Sequence, residues 1–487
     1  SAISSSPSMA MDPPKSPAAT LEEMLLTQAL ARGLGINNID HRLRQADFTD
    51  QDNAPLCPTL GQQLAALETV DAALLVGSNP RKDQPLIGHR LRKAAVAGAR
   101  IMFVNPVDYE FLFDVHAQAV VPPSRMVATL AAIAACFPVA GSNAVDAVKA
   151  AISAADPDDT HRAMAQSLKE AGRATVLLGN VATAHPQFSV IKALAAIIAE
   201  ASGAIPGVLT EGANGAGGWL AGVLPHRGPA GNAVPEAGLD AQAMLAEPRK
   251  GYLLFGVEPA HDCANAAQAA SAVEAAEFVV SIAPFASDAV KEQADVLLPT
   301  GPFTETSGTF VNTEGRWQSF SGIATPQGDS RPGWKVMRVL GNQFGLDGFE
   351  QQCSEEIRDA LREQTGKVKP DNSQAAGPVA GVATVAGLER IGDISINATD
   401  ALVRRAPALQ ATPDARAAGL VRLNAAEAEK SGVMDGYTVT VRQGDASSTM
   451  DVEISERVPD GCAWIQAGTT AAASLGASFG PVTIERV

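Results

Sequence analysis

Three segments place glycines and polar side chains where a strand is expected to end. Gly77-Ser78-Asn79-Pro80 and Gly256-Val257-Glu258-Pro259 each follow a short apolar run, and residues 294–318 leave a third run at Pro299 and continue through Thr, Ser, Asn and Gly. Strand ends of this kind expose backbone N–H groups and helix N-termini to ligands. A tight turn alone would need the same glycines, and none of the segments is a G-x-G-x-x-G or Walker A motif. Taken singly, each is an ambiguous candidate.

Metal-binding residue types are scattered. The five cysteines, Cys57, Cys136, Cys263, Cys353 and Cys462, form no C-x-x-C run, whereas an iron–sulfur cluster normally takes several thiolates from one short loop. We therefore expect isolated thiols.

The histidines are weak candidates for metal binding. His261 and Cys263 are spaced as an H-x-C pair, but no second ligand-rich segment accompanies them, so no zinc site is expected. His41 stands among charged residues and is expected in a salt bridge or an interface. His226, in a Pro- and Gly-containing loop, is a candidate to face a ligand crevice.

The elements that must position these residues alternate between strand and helix. Thr20 opens a helix through a T-x-x-E capping box with Glu23. A strand–turn–helix–strand unit covers about 71–104, and the pattern restarts at 174–178. Strands that are apolar along their whole length indicate parallel sheets, so we expect two doubly wound α/β layers.

The ends of the chain have a different composition. Residues 1–19 are rich in Ser, Pro and Ala and are expected to form a linker. The predicted domains are a first α/β domain at 20–172, a second α/β region at 173–345, a helix and Gly/Pro/Ala linker at 346–398, and a small β-barrel at 399–487.

Composition excludes two classes of function. The net charge of −16 argues against nucleic-acid binding, because a polyanion would be repelled. No stretch reaches the roughly 18–20 apolar residues that a transmembrane helix needs, so direct membrane insertion is not expected.

Taken in order, the motifs resemble the molybdopterin-oxidoreductase superfamily. In that superfamily a G-S-N-P-like turn, a G-x-N/E-P turn and an A-D-x-x-L-P…E-x-x-G-T-F-x-N-x-E-G-R stretch follow one another; here the last reads ADVLLP at 294–299 and ETSGTFVNTEGR at 305–316. The resemblance implies a pterin crevice, retained in vestigial form, whose residues are Gly77, Ser78, Asn79, Gly256, Glu258, Gly308, Thr309 and Asn312. It also implies that the C-terminal barrel is of the double-psi type.

A narrower resemblance is to the large iron–sulfur subunit of NADH:quinone oxidoreductase, respiratory complex I. It is carried by ARGLG…NNIDHRLR at 31–44, LLVGSN at 74–79 and LVRRAPAL at 402–409. That family implies iron–sulfur clusters in domains upstream, partners among the other peripheral-arm subunits, and a peripheral location on the cytoplasmic side of the bacterial inner membrane.

The chain departs from the catalytic family pattern at one position. The Cys, selenocysteine or Ser ligand of active molybdenum enzymes would fall at about Ala46, which cannot bind a metal. We therefore expect a structural domain with no catalytic residues, no metal and no cofactor of its own. The alternatives are a fragment of a formate dehydrogenase-like molybdenum enzyme, with Cys57 as a substitute ligand, and a nucleotide- or pterin-binding module.

Overall fold

The computed structural model describes residues 11–12, 15–138, 143–247, 249–366, 368, 371–372, 377–381, 385 and 387–487. It divides the chain into two compact units. Unit 1 comprises 1–43, 211–369 and 400–405; unit 2 comprises 44–210, 370–399 and 406–487. Among the described residues, no helix is both long and apolar enough to span a bilayer.

The strands are short, as is usual for sheets packed between helices. In chain order they are β1 Met11–Asp12, β2 Ala72–Val76, β3 Arg100–Asn105, β4 Ala117–Val120, β5 Ala174–Leu178, β6 Ile205–Val208, β7 Gly251–Phe255, β8 Phe278–Ala283, β9 Val296–Pro299, β10 Gly308–Val311, β11 Trp317–Phe320, β12 Leu388–Ile391, β13 Val421–Leu423, β14 Thr438–Gln443, β15 Ala446–Ile454, β16 Cys462–Trp464 and β17 Phe479–Arg486.

Helices separate most of these strands. They are α1 Leu21–Gly33, α2 Pro85–Val96, α3 Pro123–Ala135, α4 Asp146–Ser153, α5 Asp159–Glu170, α6 Asn180–Thr183, α7 Phe188–Ser202, α8 Gly215–Ala221, α9 Ala241–Ala246, α10 Pro259–Asp262, α11 Ala266–Glu274, α12 Asp288–Gln293, α13 Gly333–Gln343, α14 Ser354–Thr365, α15 Ala401–Arg404, α16 Pro407–Gln410, α17 Pro413–Ala418 and α18 Ala425–Lys430.

Unit 2 contains a five-stranded sheet of order β4-β3-β2-β5-β6, in which every pairing is parallel. Its central strands β2 and β5 are buried along their whole length, as the continuous apolar runs predict. Strands β5 and β6 join the sheet that contains β2, so the division predicted between residues 172 and 173 does not separate the two sheets. Periodicity could not show this, because consecutive βα units look alike whichever sheet they enter.

Unit 1 contains a four-stranded parallel sheet of order β1-β7-β8-β9 and a two-stranded hairpin, β10-β11. Met11 and Asp12 pair with Gly251 and Tyr252, and Lys15 bridges Phe255. The prediction of a linker over 1–19 is therefore wrong for residues 11, 12 and 15, which lie in the fold; residues 1–10 lie outside the described residues. Two ladder residues leave too short a pattern to recognise in a Ser- and Pro-rich sequence.

Helix α1 begins as its sequence predicts. The Thr20 hydroxyl accepts a hydrogen bond from the Glu23 backbone N–H at 3.3 Å, and the Glu23 carboxylate accepts one from the Thr20 N–H at 2.8 Å. Such a reciprocal cap satisfies two N–H groups that the first turn leaves open.

The C-terminal part of unit 2 closes into a six-stranded barrel of order β12-β16-β13-β15-β14-β17. Its interior is apolar and includes Val421, Val439, Val441, Ala463 and Leu475. The barrel confirms the predicted fold class, but it starts at β12, within the segment predicted as a linker. Of that segment, residues 367, 369–370, 373–376, 382–384 and 386 lie outside the described residues.

Candidate functional site

All three predicted turns fold at strand ends. Gly77 follows β2 with φ +55° and Gly256 follows β7 with φ +65°, a region that glycine enters without strain. Gly77, Ser78 and Asn79 belong to unit 2, whereas Gly256, Glu258, Gly308, Thr309 and Asn312 belong to unit 1. The predicted crevice residues therefore form two sets, one in each unit.

In unit 1, the carboxylate of Glu258 is held by two arginines. Oε2 accepts hydrogen bonds from Arg404 Nε at 3.0 Å, Arg404 Nη2 at 2.8 Å and Arg405 Nη1 at 3.1 Å, and Oε1 accepts one from Arg405 Nη2. The Glu258 side chain is 5% exposed and that of Arg404 is 10% exposed. The lone pairs of Glu258 are thus used by groups of the same chain.

Asp262 completes this cluster from the end of α10. Its carboxylate accepts from Arg404 at 3.0 and 3.2 Å and from the Glu258 backbone N–H at 2.8 Å. Burial pushes the pKa of Glu258 up, but the hydrogen bonds and charges of Arg405 and Arg404 outweigh it and hold that pKa below its usual range. Glu258 is therefore ionised and neutralised in place.

The sequence alone does not connect Glu258 to these arginines. They lie in the LVRRAPAL segment, and Arg404 is 146 residues further along the chain than Glu258. A buried carboxylate requires a partner, and two adjacent arginines in an acidic chain were the available signal.

Thr309 and Gly308 are also engaged within unit 1. The carboxylate of Glu22 on α1 accepts the Thr309 N–H at 2.8 Å and the Thr309 hydroxyl at 2.7 Å. A Cβ added at Gly308 would lie 2.5 Å from Thr20 Cγ2. The Asn312 Oδ1 accepts the N–H groups of Glu314 and Arg316, at 3.1 and 2.9 Å, and closes the β10–β11 turn.

In unit 2, the turn after β2 is only partly satisfied. Asn105 binds the Ser78 backbone twice: its Oδ1 accepts from Ser78 N at 2.7 Å and its Nδ2 donates to Ser78 O at 3.0 Å. In contrast, Ser78 Oγ and Asn79 Oδ1 are buried and have no hydrogen-bond partner among the described residues. Buried polar atoms without partners are uncommon and point to a missing ligand or water.

No metal-binding arrangement accompanies these turns in the described part of the chain. Ala46 has no donor atom, and Cys57 is a buried thiol whose pKa burial raises to about 12, which disfavours the thiolate that metals bind. Among the described residues, no three His, Cys, Asp or Glu side chains are grouped so that they could hold an ion, His261 and Cys263 included.

The two other histidines behave differently from each other. His41 is buried and its Nδ1 lies 2.8 Å from the Val223 carbonyl oxygen, so the structure shows a backbone hydrogen bond where a salt bridge or an interface was expected. Both ring nitrogens of His226 are buried without a partner in the described ranges, and burial with the nearby Arg42 lowers the pKa of His226 to about 3. His226 is thus a neutral ring with unused polar atoms, and its predicted contact with a ligand stays a prediction.

Comparison with protein families matches residues 5–343 to the molybdopterin oxidoreductase model. In the NADH-quinone oxidoreductase of Mycobacterium tuberculosis (strain CDC 1551 / Oshkosh), the subunit designated G is 28% identical over 92% of this chain. The alignment covers 56% of that relative, so the chain spans little more than half its length. A Staphylococcus aureus (strain USA300) protein, provisionally named a formate dehydrogenase, is 41% identical, but over only 14% of this chain and 7% of its own length.

Among solved structures, acetylene hydratase from Pelobacter acetylenicus superposes with a TM-score of 0.67. The match covers 98% of this chain and 86% of that one at 11% identity. At that identity the likeness shows the fold alone.

Proposed function

The chain belongs to the molybdopterin oxidoreductase family, and we propose that within it the chain is a cofactor-free structural part of the large iron–sulfur subunit of an NADH:quinone oxidoreductase. The proposal has two parts, the loss of the cofactor and membership of the complex. Each is supported by different observations and has its own experiment.

The observation that carries the first part is the pairing of Glu258 with Arg404 and Arg405. A pterin nucleotide offers hydroxyl and N–H donors to a carboxylate at the end of a strand. To reach Glu258 it would have to displace two charge-assisted guanidinium contacts, among the strongest hydrogen bonds in proteins. It would also leave Arg404 and Arg405 buried or half-buried without their partner, which is costly. The unit 1 residues therefore do not fit the cofactor.

Two further features of the chain support the same conclusion. Thr309 already gives both of its donors to Glu22, and the space beside Gly308 is taken by Thr20. Ala46 stands where a molybdenum ligand is required, and a methyl group offers no lone pair. Catalytic residues are accordingly not assigned to this chain.

The second part of the proposal follows from the relatives. The NADH-quinone oxidoreductase subunit matches over 92% of the chain, whereas the formate dehydrogenase match covers 14%. As part of such a subunit, the chain would support electron transfer from NADH to quinone while iron–sulfur clusters are held by the part of the subunit that it does not cover. Its partners would be those cluster-bearing domains and the other peripheral-arm subunits. It would lie on the cytoplasmic face of the bacterial inner membrane without entering it.

Cofactor content tests the first part. The purified chain is expected to contain no stoichiometric molybdenum or tungsten by mass spectrometry and to release no fluorescent pterin on acid oxidation. A formate dehydrogenase-like fragment, the alternative, must give both signals and reduce a dye with formate. Molybdenum near one atom per chain would overturn the cofactor-free assignment.

Membership of the complex is tested separately in cells that make the protein. The chain, tagged at its C-terminus in the chromosome, is expected to be recovered with NADH:quinone oxidoreductase activity and with iron–sulfur signals in electron paramagnetic resonance. A matched strain with the same tag on an unrelated protein serves as control. Recovery of the chain without that activity would reject this part while leaving the cofactor result intact.

A further inference from the structure

Unit 2 contains a polar cavity of about 340 Å³ beside the turn that follows β2. One wall is formed by that turn and the loop after β3, and the other by the barrel and the loops around it. The residues that matter for its chemistry are Asn79, Arg81, Tyr109, Glu110, Asp393 and Arg457. A volume of this size lies at the lower end of the roughly 300–1,000 Å³ range of ligand sites.

The cavity lies where an open parallel sheet is expected to bind ligands. The chain runs from β2 outward to β3 and β4, and from β5 outward to β6 on the opposite side. Strands β2 and β5 are therefore neighbours at the point where the strand order reverses. Ligands of open α/β sheets bind outside the carboxyl ends of such a pair, and Asn79 stands just beyond the end of β2.

The floor of the cavity is rigid and already satisfied. Asp393 accepts hydrogen bonds from the Tyr109 hydroxyl at 2.9 Å and from the Trp464 indole N–H at 2.6 Å, and all three residues are buried. Tyr109 and Trp464 also belong to one apolar cluster with Val107, Ile391 and Val458. These groups shape the cavity and are not available to a ligand.

The rim of the cavity carries an unequal set of charges at one place. Arg81 and Arg457 both contact the carboxylate of Glu110, at 3.1 and 3.4 Å. The Glu110 side chain is 58% exposed, more than that of either arginine. Two guanidinium groups on a single carboxylate leave one positive charge over at this part of the rim. An entering dianion can replace the exposed Glu110 at little cost, because an exposed pair is weak.

Most of the other charges that line the cavity are paired with one another. Lys82 forms an ion pair with Asp414, and Arg422 forms one with Glu453 at 2.8 Å. Asp83 also lines the cavity and is the acidic group that opposes an anion there. The position that favours an anion is therefore the pair of arginines, Arg81 and Arg457.

Acceptors without donors lie on the same turn as Arg81. Asn79 Oδ1 and the adjoining Ser78 Oγ are buried and have no partner within the described part of the chain. A hydroxyl-bearing ligand would supply the missing hydrogen bond to the Asn79 oxygen, whereas a fully ionised inorganic anion would not. The two features, surplus positive charge and an unused buried acceptor, lie on the same cavity.

We propose that this cavity binds a small hydroxylated phosphate ester, with its phosphate on Arg81 and Arg457 and a sugar hydroxyl on Asn79. Arginine guanidinium groups match phosphate geometry through paired N–H donors. The assignment is independent of the absence of a pterin, because the residues that argue against that cofactor belong to unit 1.

Isothermal titration of the purified chain with ribose 5-phosphate, inorganic phosphate and ribose tests the assignment. Ribose 5-phosphate is expected to bind at least tenfold more tightly than phosphate, and ribose alone should not bind measurably. A fourth titration, with guanosine 5′-monophosphate, distinguishes the two sources of such an ester. Binding tighter than that of ribose 5-phosphate supports a nucleotide, and equal or weaker binding supports a sugar phosphate.

Variants locate the binding. Arg81→Gln and Arg457→Gln are each expected to weaken ribose 5-phosphate binding at least tenfold, and Asn79→Ala should weaken it while leaving phosphate binding unchanged. The control is Arg442→Gln, an exposed barrel arginine paired with Glu485 and not among the cavity residues. The proposal is overturned if none of the phosphate esters binds at millimolar concentration, if phosphate binds as tightly as its esters, or if the cavity variants bind like the control.

Discussion

Thr309 gives both its backbone N–H and its hydroxyl to the two carboxylate oxygens of Glu22, at 2.8 and 2.7 Å. The pair joins α1 to β10 inside unit 1, and Glu22 is 1% exposed. Burial nevertheless dominates over these hydrogen bonds and raises the pKa of Glu22 to about 7. The contact that fills one part of the family's ligand crevice is therefore sensitive to pH.

Glu22 should make the chain less stable as pH rises through the range between its unfolded and folded pKa values. Between about 4.5 and 7 the folded state binds the proton more tightly than the unfolded state, so the free energy of unfolding falls by about 3 kcal/mol as Glu22 ionises. Glu22→Gln removes this term while keeping an acceptor for Thr309. Urea unfolding at pH 4.5 and pH 7.5 should thus show a smaller decrease in the variant.

The matched control for this experiment is Glu363→Gln. Glu363 is an exposed residue of α14 in the same unit. Its variant should follow the wild-type pH dependence, because an exposed carboxylate is not desolvated on folding. Equal pH dependence in Glu22→Gln and wild type would show that burial does not perturb Glu22.

Gly77 should tolerate alanine much less well than Gly203. Both have a positive φ, +55° and +73°, so both substitutions carry a backbone cost of about 1 kcal/mol. A Cβ at Gly77 would lie 2.3 Å from the Ala182 backbone N, whereas one at Gly203 would meet nothing within 4 Å. Gly77→Ala should therefore lose about 1–3 kcal/mol more, measured by urea unfolding. Equal losses would mean that the turn can move away from α6.

Local patterns were sufficient to predict much of the fold. The runs at 72–76 and 100–105 are strands, Thr20 and Glu23 form the predicted cap, and the glycines after β2 and β7 adopt positive φ. Each of these features depends on residues within a few positions of one another. A sequence pattern can express such dependence directly.

Long-range pairing could not be predicted in the same way. Strand β5 joins β2 across about a hundred residues, and Met11–Asp12 joins β7 across about 240. The arginine partners of Glu258 are 146 and 147 residues away, and Thr309 and Glu22 are 287 residues apart. Neither strand choice nor side-chain pairing leaves a local periodic signal, so the eight predicted site residues were found without the contacts that occupy them.

Arg390 should be essential for the stability of the barrel. Its buried guanidinium donates to the Ile465, Gly476 and Ala477 carbonyl oxygens at 3.2, 3.3 and 3.1 Å. Burial lowers the pKa of Arg390 to about 10. Arg390→Met would leave these carbonyls without a donor, at a cost of about 3 kcal/mol in urea unfolding.

Arg390→Lys separates charge from geometry at this site. Lysine keeps the positive charge but cannot direct N–H donors to several carbonyls in one plane. We expect a loss between those of wild type and Arg390→Met. A lysine variant as stable as wild type would show that charge alone satisfies the carbonyls.

Tyr109 should stabilise unit 2 through its hydroxyl as well as its ring. The Tyr109 hydroxyl donates to Asp393, whose pKa burial raises, and the Trp464 indole holds the other carboxylate oxygen. Tyr109→Phe keeps the ring in its apolar cluster but leaves one oxygen of a buried carboxyl group without a donor, at a cost of about 2 kcal/mol. Tyr437→Phe, at a half-buried tyrosine whose ring lies under Arg486, is the control and should change stability by less than about 0.5 kcal/mol. If the two variants unfold at the same urea concentration, Asp393 has found another donor, and the floor of the cavity does not depend on Tyr109.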